Sequence, residues 1–116
     1  FDKFTEIGFN MWSIFQKASA LPDDVRVYIL SHTEESDMGR TKIKTIGKLL
    51  DEKITLEGLV TICLQTAVVN DQYIFMTKNN GSNTVKSPMG LFESEHIEND
   101  LKAVDDAIVS YYGLGE

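Results

Sequence analysis

The segment Arg26-Val27-Tyr28-Ile29-Leu30-Ser31-His32-Thr33-Glu34 constrains the fold more than any other part of the chain. An apolar, β-favouring run stops abruptly at a histidine flanked by hydroxyl and acidic residues. It is bounded upstream by Leu21-Pro22-Asp23-Asp24. A run this short, rich in Val, Tyr and Ile, predicts a buried strand of an α/β sheet over 26–31. His32 would then stand at the strand's carboxyl end, where open α/β sheets hold their ligands. A histidine in that place can contact a ligand or simply order the loop that follows.

Other segments frame this strand. From Asp2 to about Ala18, Phe4, Ile7, Met11, Trp12, Ile14, Phe15 and Ala18 recur near helical spacing, which predicts a core-packing helix closed by Leu21-Pro22. Phe9, Trp12 and Phe15 read as core on that stripe. Thr33 to about Lys48 is polar, weakly periodic and holds two glycines, and is expected to be a loop. Gly58–Val69 and Tyr73–Lys78 predict a hairpin about Asn70-Asp71-Gln72. Breaks follow at 79–83 and at Pro88-Met89-Gly90. Ile97, Leu101, Val104, Ile108 and Tyr111 mark a terminal amphipathic helix from His96 to Tyr112, with Gly113 as its stop. A parallel sheet needs crossover-connected strands, and only 26–31 has that character. The sheet is therefore expected to rely on strands encoded upstream of Phe1, where the chain opens inside an amphipathic pattern.

With 116 residues, 42% of them hydrophobic, the chain can form one modest core, and a single domain over 1–116 is expected. The lone cysteine, Cys63, lies in an apolar run and reads as a buried structural thiol. No stretch resembles a membrane helix or a signal peptide, which suggests a cytoplasmic setting. A net charge of −7 argues against a nonspecific grip on nucleic acid over the whole surface. Yet Arg40, Lys42, Lys44, Lys48 and Lys53 account for five of the eleven basic residues, and with Gly39 and Gly47 they make a basic stretch that could follow a phosphate backbone or merely be solvated. His96, beside Glu95 and Glu98, has no second histidine near it and makes a poor metal site. Asp105 and Asp106 read as a solvated helix face beside Lys102.

Three ordered motifs resemble a specific family: Tyr-Ile-Leu-Ser-His-Thr-Glu at 28–34, Lys-Ile-Lys-Thr-Ile-Gly-Lys-Leu-Leu-Asp-Glu-Lys at 42–53, and Thr-Lys-Asn-Asn-Gly-Ser-Asn-Thr-Val-Lys-Ser-Pro-Met-Gly-Leu-Phe at 77–92. With the closing Asn-Asp-Leu-Lys-Ala-Val-Asp-Asp at 99–106, they are similar to the C-terminal portion of phage-type, RecA-like P-loop ATP-binding proteins, a group that includes single-strand annealing and recombination proteins. The resemblance implies an α/β RecA-like domain, with ATP and Mg²⁺ bound by the intact protein, single-stranded DNA as its partner, and a homo-oligomer.

By that resemblance His32 is a phosphate sensor, oriented by Thr33 and Glu34. Arg40, Lys42, Lys44 and Lys48 belong to a DNA-facing loop, although that loop lacks an aromatic residue for base stacking. Lys86 corresponds to a cation offered to a neighbouring subunit's nucleotide, with Lys78 a weaker candidate. The phosphate-binding loop itself is missing. Gly39-Arg40-Thr41-Lys42 and Ile46-Gly47-Lys48-Leu49 lack the spacing and the hydroxyl of G-x-x-x-x-G-K-[ST], so no cofactor binding or ATP hydrolysis is expected from these residues alone. A non-catalytic self-association or protein-interaction module is the alternative reading.

Overall fold

The computed structural model describes residues 2–44 and 56–114. The chain is mixed α/β, with two helices and two small antiparallel sheets among the described residues, and divides into two compact units at Val60/Thr61.

In the first unit, helix α1 covers Asp2–Ser19. It ends as Ala20 N donates to the carbonyls of Gln16 and Lys17, and Leu21 N to that of Ala18, before Pro22 forbids another turn. Two short strands follow, β1 (Thr33–Glu35) and β2 (Thr41–Ile43), paired antiparallel with Glu34 opposite Lys42. Their connection is a turn in which Gly39 N donates to the Ser36 carbonyl at 2.9 Å and Arg40 N to Ser36 Oγ at 3.1 Å. Gly39 sits at φ 78°, which a side chain would oppose. A 3-10 helix at Leu56–Leu59 lies near α1, and Leu56 and Phe15 are the buried large apolar side chains of this unit among the described residues.

This arrangement corrects the sequence reading. Residues 26–31 form no strand, so His32 precedes β1 instead of ending a sheet strand. The run is apolar, but no strand among the described residues pairs with it: Val25, Val27, Ile29 and Leu30 are exposed, Leu30 at 82%. Within the supposed loop at 33–48, the hairpin occupies 33–43. Positions 45–55, including Lys48 and Lys53, lie outside the described residues. Along α1, Phe15 is core as expected, but Phe9 is 61% exposed and Trp12 stacks against it with ring centroids 5.8 Å apart.

The second unit is built on β3 (Gln65–Val69), β4 (Gln72–Met76) and β5 (His96–Glu98), in that order and antiparallel throughout. No parallel pair occurs among the described strands. Asn70 and Asp71 both adopt positive φ, 51° and 64°, the primed turn whose twist suits a two-residue hairpin. The hairpin expected from 58 begins only at Gln65, because 56–59 is 3-10 helix and Cys63 makes a separate bridge to Lys86. Helix α2 covers Leu101–Tyr112. Asp100 caps it, accepting from Lys102 N at 2.9 Å, and Gly113 closes it at φ 66°. His96 therefore belongs to a strand, four residues before the helix cap. The period-matching Ile97 is core for a different reason: it faces inward from β5.

Phe75, Leu91, Phe92, Val104 and Ile108 form the buried cluster, flanked by Ile62, Leu64, Ile97, Ala107 and Leu114. The excursion between β4 and β5 is pinned by polar contacts. Thr77, fully buried, donates from Oγ1 to the Ser94 carbonyl at 2.6 Å, and its own carbonyl accepts from Ser87 Oγ at 2.7 Å. Tyr111 Oη donates to the Met89 carbonyl at 2.7 Å.

Candidate functional site

The β1–β2 hairpin gathers most of the residues singled out from the sequence. The His32 carbonyl accepts from Lys44 N at 2.8 Å, continuing the ladder one step beyond the strands. Glu34 and Lys42, directly opposed, bring carboxylate and ammonium to 3.6 Å, each side chain about one-third exposed. A pair this open is worth well under about 1 kcal/mol. Its consequence is electrostatic: part of the Lys42 charge faces Glu34 instead of a ligand. Arg40 and Lys44 are exposed on the same hairpin, as is the His32 side chain. The hairpin is therefore a small platform with a histidine at its base and three cations, of which Lys42 faces Glu34.

Glu57 is a participant that sequence reasoning missed. Its Oε2 accepts from Ile43 N at 3.1 Å, tying β2 to the 3-10 helix. Nothing local in the sequence marks this contact, since the residues are fourteen positions apart. The turn at Ser36-Asp37-Met38-Gly39, by contrast, had a readable signal, a hydroxyl residue and a glycine between two β-branched pieces.

Lys86 belongs to the second unit, and it does not sit in a free loop. Its N and O both pair with Cys63, each at 2.9 Å. Val85 is 2% exposed and Ser87 is held by Thr77, so the backbone is fixed on either side while the lysine side chain is exposed. Cys63 is half-buried, less enclosed than its apolar run suggests. Lys78 is exposed just beyond β4, its Nζ 3.5 Å from the Glu93 carbonyl. With Met76, Asn79, Asn80, Glu95 and His96 it lines a shallow depression of about 90 Å³. On α2, Lys102 and Asp106 pair at 3.0 Å one turn apart; the Asp106 hydrogen bond, followed by its charge, raises the Lys102 ammonium above its ordinary value. Asp106 is exposed, while Asp105 is half-buried.

Among the described residues, no group of three or more His, Cys, Asp or Glu side chains could hold a metal ion, and no helix is long and apolar enough to cross a membrane. Set against family models, curated proteins and solved structures, the chain has no match in any of the three.

Proposed function

We propose that this chain is the C-terminal portion of a RecA-like phage ATP-binding protein acting in DNA recombination, replication or annealing, in which ATP and Mg²⁺ are bound with help from residues outside it. The observation that carries the reading is the exposed run 25–30. Its sequence has the character of an interior strand, yet Val25, Val27, Ile29 and Leu30 are 42–82% exposed. An apolar, β-branched segment in that condition is what a central sheet strand becomes when its neighbours are supplied from elsewhere. It leads straight into His32, the residue the motif resemblance makes a phosphate sensor.

In this reading His32 donates a hydrogen bond that is lost on phosphate release, and the hairpin after it transmits the change. Arg40, Lys42, Lys44 and Lys48 contact DNA phosphates, Lys42 after parting from Glu34. Lys86 acts in trans in a homo-oligomer, where a cation stabilises the charge of phosphoryl transfer. The protein is read as cytoplasmic.

The test uses the chain extended by its own upstream coding sequence, assayed for ATP binding, turnover and DNA binding. His32→Ala is expected to leave ATP affinity nearly unchanged while lowering DNA-dependent turnover at least tenfold. Lys44→Gln with Lys48→Gln is expected to flatten the salt dependence of single-stranded DNA binding by about two charge units, and Glu34→Gln to strengthen binding by removing a negative charge beside the DNA phosphates. An extended protein with no phosphate-binding loop and no ATP binding would defeat the reading.

A second reading, a non-catalytic self-association module, is favoured by a separate observation. Phe9 and Ile14 on α1 are 61% and 59% exposed, an apolar surface not confined to the strand-like run. Sedimentation across a concentration series separates the two. Self-association of the extended protein that survives Ile29→Lys but not Phe9→Lys, without ATP binding, would favour the module.

A further inference from the structure

The depression beside β4 and β5 has a composition unlike the acidic chain around it. Register places Met76 opposite His96, and Thr77 N donates to the Glu95 carbonyl at 3.0 Å, so the residues just after β4 and those leading into β5 are held side by side. Asn79 is spent on structure: its Nδ2 donates to the Asn83 carbonyl at 2.9 Å and its Oδ1 accepts from Gly81 N at 2.7 Å. Asn80 is only half spent. Its Oδ1 accepts from both the N and the Oγ of Ser82, each at 2.9 Å, which fixes the side-chain amide while leaving both Nδ2 protons unused. Lys78 has a single long contact, 3.5 Å to a carbonyl, that leaves its charge and most of its donors available. His96 makes no side-chain hydrogen bond among the described residues.

We propose that this depression binds a phosphate group, with Lys78 supplying charge, Asn80 and His96 supplying directional donors, and Glu95 as the one opposing charge in the lining. A space of about 90 Å³ accommodates a phosphoryl group. The preset Asn80 amide adds to the Lys78 charge at small cost, because a donor already fixed by Ser82 loses little freedom on binding. The inference goes beyond the reading above, whose contacts come from residues 32–48 and from Lys86, and stands or falls separately.

Nitrogen-15-labelled full chain, titrated with inorganic phosphate, with metal-free ATP and with a thymidine oligonucleotide lacking terminal phosphates, provides the test. Shift changes are expected to centre on 78–80 and 95–96. Lys78→Gln should weaken binding at least fivefold and Asn80→Ala about threefold, whereas Glu95→Gln should strengthen it about threefold by removing a like charge near the ligand. A gain of affinity cannot come from a damaged fold, so Glu95→Gln guards against misfolded variants. Preference for ATP identifies a nucleotide phosphate as the source, and preference for the oligonucleotide identifies a nucleic-acid backbone. Absence of any shift at these residues with all three probes, or unchanged binding in both Lys78→Gln and Glu95→Gln, overturns the proposal.

Discussion

The two units solve the same problem with unequal success. The second, Thr61–Glu116, places Ile74, Phe75, Val85, Leu91, Phe92, Val104 and Ile108 below 10% exposure around three strands and a capped helix. The first, Phe1–Val60, buries Phe15 and Leu56 among its described large apolar side chains and leaves Phe9, Ile14, Leu21 and the run 25–30 facing solvent. Both are rich in apolar residues. What differs is whether each apolar face finds a second layer: a sheet face is stable only when something packs on it, and α2 covers β4 and β5 whereas no described element covers 25–30. Local composition therefore does not decide which region holds together. The presence of a partner layer does.

The contrast breaks most readily in the core. Phe75→Ala is expected to destabilise the second unit by about 3–5 kcal/mol, measured by denaturant unfolding, because a large aromatic is removed from a packed cluster. Leu30→Asp in the first unit should change stability by less than about 0.5 kcal/mol, since nothing surrounds that side chain. A Leu30 effect as large as that of Phe75 would mean that 25–30 is covered after all.

Smaller effects sharpen the picture of the second unit. Asp100→Ala removes the acceptor for two α2 amides and is expected to cost about 1 kcal/mol, read as a lower Tm together with reduced amide protection at Lys102 and Ala103. Asp71→Gly relieves a residue held at φ 64° in a primed turn and is expected to stabilise by about 0.5–1 kcal/mol, raising the unfolding midpoint. A loss there would show that the Asp71 side chain, not its backbone, matters.

The smallest effect concerns Lys102. Its ammonium is raised by Asp106, so its contribution is fully present below the unfolded-state value of 10.5 and fades as pH climbs through the higher folded value. Lys102→Met should therefore match the parent protein closely, with any difference in stability confined to pH values below that window and vanishing above it. Because the pair is fully exposed, salt should shrink the difference further.

How much of this was legible depends on the range of the interactions involved. The capped end of α2 was readable because Gly113 and the i, i+4, i+7 spacing are local signals, and the β3–β4 turn because Asn70-Asp71-Gln72 interrupts two apolar runs, although Gln72 is already the first residue of β4. The start of α2 was misplaced at His96: Ile97 fits the helical period, but the Asp100 cap and the pairing of 96–98 with β4 outweigh it. The β1–β2 hairpin was missed because three-residue strands carry too little alternation to register as such. Of the candidate residues, His32, Glu34, Arg40, Lys42 and Lys44 do share one hairpin. Their nearness in sequence made that foreseeable, but the Glu34–Lys42 pairing followed only from register.

The elements whose causes lie within a few residues were set by the sequence alone: the α1 helix and its stop before Pro22, a turn at Asn70-Asp71, the α2 terminal glycine and the overall acidity. Tertiary structure decided the rest. Whether an apolar run becomes a strand depends on backbone partners that can be far away in the chain, and no described strand pairs with 25–30 while Cys63 and Lys86, distant in sequence, bridge. It also decided which charges face one another, as Glu34 faces Lys42, because pairing across a hairpin is set by register, and register is a property of two segments together.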